Sequence, residues 1–86
     1  MPHFVYILQS SDGKYYTGYT NNLERRMQQH QSGKAAKFTR AFGFKKLLYH
    51  EIYDTKSEAL KREAAIKKLS RDEKKQIMRK HKKSTK

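Results

Sequence analysis

The chain has 86 residues and no cysteine, which indicates one small domain without a disulfide framework or a thiolate zinc site. Its longest apolar run near the N-terminus, residues 4–8, is too short for a signal sequence or a membrane span, so a cytoplasmic protein without membrane contact is expected. Lysine and arginine total 21 against 8 acidic residues, and the formal charge of +13 favours a polyanionic partner.

The basic residues are unevenly distributed along the chain. Residues 1–43 hold 6 bases and 2 acids, whereas residues 44–86 hold 15 bases and 6 acids. This excess predicts contact with phosphate backbones or anionic lipid surfaces, and a basic surface that only aids solubility is the alternative. The histidines, at positions 3, 30, 50 and 81, lack the spacing of a zinc site.

The first elements in the chain form a predicted β-hairpin. Apolar, aromatic and β-branched side chains fill residues 3–9 and residues 14–20. Between them lie two serines, an aspartate and Gly13, which favour a tight turn.

A helix is expected directly after the hairpin. Asn21 or Asn22 can cap it, residues 23–31 have helix-forming composition, and Gly33 suits the position just past its end. Residues 34–43 show no clean periodicity and predict a mobile loop.

The second half of the chain predicts a third strand, at about residues 45–52, and two further helices. Asp54 or Thr55 caps the first of these, which runs to about residue 68, and Thr55 begins a capping-box pattern. Ser70 begins a second capping box, and its helix reaches about residue 81. Residues 82–86 predict a basic disordered tail. The chain is therefore expected to be α+β, with one domain over residues 1–81 and element order ββαβαα.

Two tyrosines are the first candidates for chemistry. Because strand side chains alternate, Tyr6 and Tyr16 are expected on one face of the hairpin, beside Gly18, which leaves room for a backbone or a ligand. The alternative is that tyrosine is simply common in strands.

The predicted first helix adds a cation and an imidazole. Arg26 and His30 are four residues apart and share one helix face, next to Leu23 and Met27. The alternatives are a solvated basic edge for Arg26 and a favourable interaction with the helix C-terminus for His30.

Glu63 lies on or beside the apolar stripe of the next helix, because Ala59, Leu60 and Ile66 surround it at helical spacing. A carboxylate at such a position is costly unless a cation or a metal ion neutralises it. The alternative is a surface pair with Lys67.

These residues together resemble the GIY-YIG nucleases. Phe4-Val5-Tyr6, followed after nine residues by Tyr16-Thr17-Gly18, is similar to the two half-motifs that name the family. The resemblance continues through Arg26, His30 and Glu63 and spans about residues 3–75. Each half-motif is weak alone, but the ordered set of five positions is specific. A more remote similarity is to the N-terminal nuclease domain of the excision-repair protein UvrC.

The chain departs from the family pattern at three places. Phe4 stands where the first motif has glycine and Thr17 where the second has isoleucine, and both residues suit a strand. No asparagine follows the second of the three predicted helices, where larger family members place a residue near the metal ion. The last departure bears on catalytic competence and not on the fold.

The resemblance implies a small stand-alone bacterial endonuclease with a three-stranded antiparallel sheet flanked by helices. Glu63 would hold one Mg²⁺ or Mn²⁺ ion, and Arg26 would bind a phosphate oxygen. Tyr6 is expected to be the general base and Tyr16 to orient the water, although the two could exchange roles. A phenol with a pKa of about 10 needs a cationic neighbour, for which His30, Lys14 and the water shell of the metal ion are candidates.

Nucleic-acid binding is expected to use backbone contacts without base readout, mainly from the last helix. The residues predicted to make these contacts are Lys14, Arg25, Lys67, Lys68, Arg71, Lys74 and Lys75. A monomer is expected whose specificity comes from DNA structure, in repair or recombination, or from a protein partner. The alternatives are a non-catalytic nucleic-acid binding module and a structural protein of the ribosome or nucleoid.

Overall fold

A computed structural model describes residues 2–84 of the chain, with side chains described through residue 80. The elements in chain order are β1 (His3–Gln9), β2 (Tyr15–Thr20), α1 (Leu23–Gln31), α2 (Lys37–Phe42), β3 (Lys46–Tyr53), α3 (Lys56–Lys67) and α4 (Arg71–Ser84). The three strands form one antiparallel sheet in the order β2-β1-β3, so the predicted α+β fold is confirmed.

Two parts of the chain differ from the sequence-based expectation. Residues 34–43 were expected to be a loop, but six of them form α2. This helix follows Ala36, whose side chain makes no capping hydrogen bond, and it ends before Gly43, which has a φ of 80°. A helix this short without a capping side chain leaves almost no periodic signal. Residues 82–84 continue α4 instead of starting a disordered tail, because no glycine or proline interrupts the helix there; residues 85 and 86 lie outside the described residues.

The predicted helix caps are present. The Asn22 side chain accepts a hydrogen bond from the Arg25 amide at the start of α1 (3.1 Å), and Thr55 accepts one from the Glu58 amide at the start of α3 (3.2 Å). Ser70 and Glu73 form a complete capping box at the start of α4, because each side chain accepts a hydrogen bond from the backbone amide of the other residue. These local contacts explain why the helix starts follow from the sequence. Within residues 2–84, no helix has both the length and the apolar character needed to span a bilayer.

The two faces of the sheet have different roles. On the core face, Val5, Ile7 and Tyr49 pack against the buried Ala59 and Ile66 of α3. Ile77 and Met78 of α4 also pack against this cluster, so both C-terminal helices cover the core face. The opposite face carries Tyr6, Gly18 and Tyr16 and is called the tyrosine face below. Side chains from α1 and α2 contact this second face.

A partly buried charge pair connects β3 to α3. The Arg62 guanidinium donates two hydrogen bonds to the Glu51 carboxylate, at 2.9 and 3.1 Å, and the hydroxyls of Tyr49 and Tyr53 donate to the same carboxylate. Burial by itself would raise the pKa of Glu51, but these four hydrogen bonds outweigh burial and hold that pKa below its ordinary value.

Candidate active site

Tyr6 lies at the centre of the tyrosine face and is 2% exposed. The strand register places Tyr6 directly opposite Gly18. A Cβ atom added to Gly18 would lie 2.5 Å from the Tyr6 hydroxyl oxygen and 2.6 Å from Cζ. The space above Gly18, which the sequence suggested for a backbone or a ligand, is therefore filled by the Tyr6 ring.

Tyr16 is the diagonal neighbour of Tyr6, because it precedes Gly18 by two residues on the same face. The centroids of the two rings are 6.4 Å apart. Tyr16 also stacks on Phe38 of α2, with centroids 5.1 Å apart, and meets the His30 ring edge-on at 5.5 Å. The predicted shared face of the two tyrosines is confirmed, although the residue opposite Tyr6 is the glycine.

His30 is buried at 1% exposure and connects Tyr6 to α2. Its Nε2 lies 2.8 Å from the Tyr6 hydroxyl, and its Nδ1 lies 2.9 Å from Thr39 Oγ1. The Thr39 hydroxyl donates to the Ala36 carbonyl, which can only accept, so Thr39 Oγ1 accepts the Nδ1 proton of His30. Nε2 is then the acceptor, and the Tyr6 hydroxyl donates to it.

Burial determines how the hydrogen-bonded pair of Tyr6 and His30 titrates. Burial, followed by the Arg26 charge, lowers the pKa of His30 from 6.5 to about 4, so the imidazole is neutral at pH 7. Burial is also the main cause that raises the pKa of the Tyr6 phenol above its ordinary value. Tyr16 and Glu63 raise that pKa further, and Arg26 opposes them. His30, one of the three candidates for a cationic neighbour of Tyr6, is therefore neutral at pH 7, and burial raises the pKa of Tyr6 instead of lowering it.

Arg26 acts electrostatically on both Tyr6 and His30, because its positive charge lowers the pKa of each. It also lines a polar depression of about 230 Å³ on the exposed side of α1. The other residues around this depression are Thr20, Asn21, Asn22, Arg25 and Gln29. Arg26 can therefore act on the buried tyrosine and on a ligand that approaches from solvent.

Glu63 lies on α3, and its charge is the smallest of the causes that shift the pKa of Tyr6. Its side chain is 17% exposed, and its Oε2 forms an ion pair with Lys67 Nζ at 3.3 Å. The expected position beside the apolar stripe is confirmed by the buried neighbours Ala59 and Ile66, whereas Leu60 is 41% exposed. The proposed surface pair with Lys67 is also present.

The residues predicted to bind nucleic acid occupy several environments. Lys14 forms an ion pair with Asp12 at 3.1 Å and lies over the Phe42 ring. Arg25 is exposed beside Arg26.

The other five predicted contacts lie at the end of α3 or on α4, which pack on the core face. Arg71 stacks over the Tyr15 ring at 4.3 Å, and burial followed by the Lys67 charge lowers the pKa of Lys74. Lys67 pairs with Glu63, while Lys68 and Lys75 are exposed. The last helix thus lies on the other side of the sheet from Tyr6.

Sequence reasoning missed several neighbours of the site within residues 34–43, and also Phe44, whose ring stacks on His30 with centroids 6.4 Å apart. Thr39 orients His30, Phe38 stacks on Tyr16, and Lys34, Lys37 and Arg40 line a depression beside them. Phe38, an aromatic residue within a basic segment, is the one signal in the sequence for these contacts. The hydrogen bond between His30 and Thr39 depends on tertiary packing and leaves no local signal.

The donors at the site fit a hard divalent cation. Glu63 supplies a largely buried carboxylate, a hard oxygen donor whose charge also acts on Tyr6. Within the described part of the chain, no group of three or more His, Cys, Asp or Glu side chains forms a protein-only metal site. Magnesium is commonly held by one or two carboxylates together with waters and substrate phosphates, which matches this donor set.

Comparisons with known proteins agree with this geometry. Residues 2–76 match the family model described as the GIY-YIG catalytic domain. A UPF0213 protein of Oceanobacillus iheyensis is 53% identical over 72 residues, which cover 84% of this chain and 84% of that protein. The solution NMR structure of a UPF0213 protein from Bacillus halodurans is 45% identical with a TM-score of 0.57, covering 90% of this chain and 82% of that one. A second, from E. faecalis, is 40% identical with a TM-score of 0.63, covering 94% and 86%.

Proposed function

Because the chain belongs to the GIY-YIG family, we propose that it is a metal-dependent endonuclease that hydrolyses DNA phosphodiester bonds. The observation that carries this proposal is the buried Tyr6 hydroxyl, which donates to a neutral imidazole within electrostatic reach of Arg26 and Glu63. A phenol placed between a proton acceptor, a cation and a carboxylate has the parts required for general-base catalysis.

The proposed proton transfer runs from water through Tyr6 to His30. Tyr6 accepts a proton from the attacking water while its own proton passes to His30 Nε2 over the 2.8 Å hydrogen bond. The imidazole becomes imidazolium, the new hydroxide attacks phosphorus, and the bond from phosphorus to the leaving 3′ oxygen breaks. The leaving oxygen takes up a proton from solvent water, and the imidazolium later returns its proton to solvent. Burial is the main cause that lowers the pKa of His30, and the Arg26 charge is the second. A phosphodiester bound at Arg26 offsets this second cause, so substrate binding makes the imidazole a better acceptor.

The other site residues hold and polarise the phosphate. The Arg26 guanidinium binds a non-bridging oxygen and stabilises the charge that develops in the transition state. Tyr16, on the same face as Tyr6, orients the water. Glu63 would hold one Mg²⁺ or Mn²⁺ ion, which supplies Lewis-acid stabilisation of the phosphate and of the leaving oxygen.

The substrate is expected to be selected by DNA structure. No zinc finger or other base-reading motif occurs in the sequence, so branches, flaps or nicks, or a protein partner, would direct cleavage. We expect the protein to act as a monomer in the cytoplasm, in DNA repair or recombination.

The cleavage experiment uses nicked, branched and single-stranded DNA with Mg²⁺, with Mn²⁺ and with EDTA. Tyr6→Phe and Glu63→Ala are each expected to lower the single-turnover rate by about 10²–10⁴-fold, as expected for loss of general-base or metal-assisted catalysis. Tyr19→Phe is the control, because Tyr19 lies on the core face and its hydroxyl is hydrogen-bonded to His3 Nδ1 (2.7 Å). Cleavage at the wild-type rate by either site variant would refute the mechanism.

A second candidate function is a non-catalytic nucleic-acid binding module. The raised pKa of Tyr6 favours it, because a phenol that holds its proton is a weak base in the protein alone. Binding without metal-dependent cleavage on all three DNA substrates would establish this second function.

A further inference from the structure

The connection between α1 and α2 forms a basic depression of about 280 Å³. Lys34, Lys37 and Arg40 line it, and the other lining residues are glycine and alanine. All three cations are exposed, and no carboxylate of residues 2–80 forms an ion pair with any of them. Three unpaired positive charges around one concave surface repel one another unless an anion binds between them.

This basic depression, defined by Lys34, Lys37 and Arg40, is fixed to the candidate site. Phe38 and Thr39 lie between its cations in the sequence and contact Tyr16 and His30. At the other end, Gly33 approaches Arg40, because a Cβ on the glycine would lie 4.0 Å from the arginine Cα. The depression is therefore held at the tyrosine face, unlike the basic residues of α4.

The lining chemistry indicates which part of a nucleic acid would bind. Alanine and glycine offer no side-chain donors or acceptors for base edges, whereas two ammonium groups and one guanidinium suit phosphate oxygens. A DNA strand whose phosphodiester lies at Tyr6 carries further phosphates on each flank of the cleaved bond, and these phosphates lie beside the site. The depression offers three charges for one of these flanks.

We propose that the basic depression binds backbone phosphates of the DNA strand beside the phosphodiester presented to Tyr6, independently of base sequence. Its position relative to the cleaved bond rests on the proposed function, whereas the phosphate contact itself does not. The depression and the polar surface at Arg25 and Arg26 then lie at opposite ends of α1, which gives the strand a path along the tyrosine face.

The test measures DNA binding in a background that cannot cleave. Fluorescence anisotropy follows a labelled nicked duplex and Glu63→Ala protein between 50 and 200 mM NaCl. One variant adds Lys34→Ala, Lys37→Ala and Arg40→Ala. The control variant removes three exposed lysines elsewhere: Lys45→Ala, Lys46→Ala and Lys61→Ala. Both variants lose the same formal charge.

The depression variant is expected to bind every duplex sequence more weakly. Its plot of log K against log salt should be less steep by about 2–3, because each duplex phosphate contact contributes about 0.9 to the slope. The control should change the slope by less than about 1. Equal changes in the two variants would overturn the proposal, since the net charge alone would then explain the binding.

Two further measurements separate the possible failures. NMR titration of the Glu63→Ala protein with inorganic phosphate tests the free anion, and saturation at these three side chains below millimolar phosphate would overturn a backbone-specific role. The His30 ring signals of the depression variant should match those of its parent, which shows that α2 remains packed. If the protein with Glu63 intact cleaves none of the three DNA substrates, the endonuclease is refuted, whereas the slope change in the Glu63→Ala series would still support the depression.

Discussion

Lowering the pH from 7 to 5 should destabilise the fold through His30. The unfolded imidazole has a pKa of 6.5, whereas the buried imidazole has a pKa of about 4. The unfolded state therefore binds more protons over this interval, and the free energy of unfolding falls as the pH falls. The stability that depends on neutral His30 is fully present above pH 6.5 and is lost progressively toward pH 4.

The size of the effect follows from the two pKa values. Integrating the proton-binding difference gives a loss of about 2 kcal/mol between pH 7 and pH 5, and about 3 kcal/mol when the loss is complete. For a domain of this size, about 2 kcal/mol corresponds to a fall in Tm of about 8–16 °C. Carboxylates titrate mainly below this interval, so they contribute little to the change.

Urea unfolding followed by circular dichroism at half-unit steps from pH 7.5 to 4.5 measures this loss. His30→Gln keeps a polar side chain without a titrating group, and it should flatten the dependence by about 2 kcal/mol between pH 7 and 5. An unchanged pH dependence in His30→Gln would refute the buried, neutral imidazole. An NMR titration that finds an ordinary pKa for the His30 ring would do the same.

Four substitutions test other parts of the structure. Gly18→Ala should cost about 1–3 kcal/mol and displace the Tyr6 hydroxyl, because the new Cβ would lie 2.5 Å from it. Thr39→Val should slow cleavage and shift its pH profile, since the imidazole loses the acceptor that sets its tautomer. Thr17→Val should be neutral or stabilising by about 1 kcal/mol, because the buried Thr17 hydroxyl has no hydrogen-bond partner among the described residues. Glu51→Gln should cost about 2–3 kcal/mol in urea unfolding by leaving its guanidinium partner without a counter-charge.

Three of these substitutions have a matched control. Tyr6→Leu removes the ring, so the costs of Tyr6→Leu and Gly18→Ala should be clearly less than additive in the double variant. Thr39→Ser should restore the pH profile, because serine keeps the hydroxyl. Arg62→Met added to Glu51→Gln should recover part of the lost stability. Additive costs at the first pair, or no recovery in the last two tests, would contradict the contacts from which the predictions derive.

Local signals in the sequence were sufficient for most of the secondary structure. Asn22, Thr55 and Ser70 cap their helices with side chains that act on the backbone within three residues, so neighbouring residues alone predict those helix starts. Strand alternation likewise placed Tyr6 and Tyr16 on one face. The short helix from Lys37 to Phe42 has no capping side chain and is too short for a clear periodic pattern, so only the folded structure shows it.

The sequence by itself indicated five residues of the candidate site, Tyr6, Tyr16, Arg26, His30 and Glu63, and the order in which they lie along the chain. Tertiary structure alone decided their chemical state: His30 is neutral and Tyr6 holds its proton because both are buried and bonded to each other. It also decided that Thr39 orients the imidazole and that the lysines of α4 lie across the sheet from Tyr6. Burial and hydrogen-bond direction depend on contacts between residues distant in sequence, and these contacts exist only once the elements pack together.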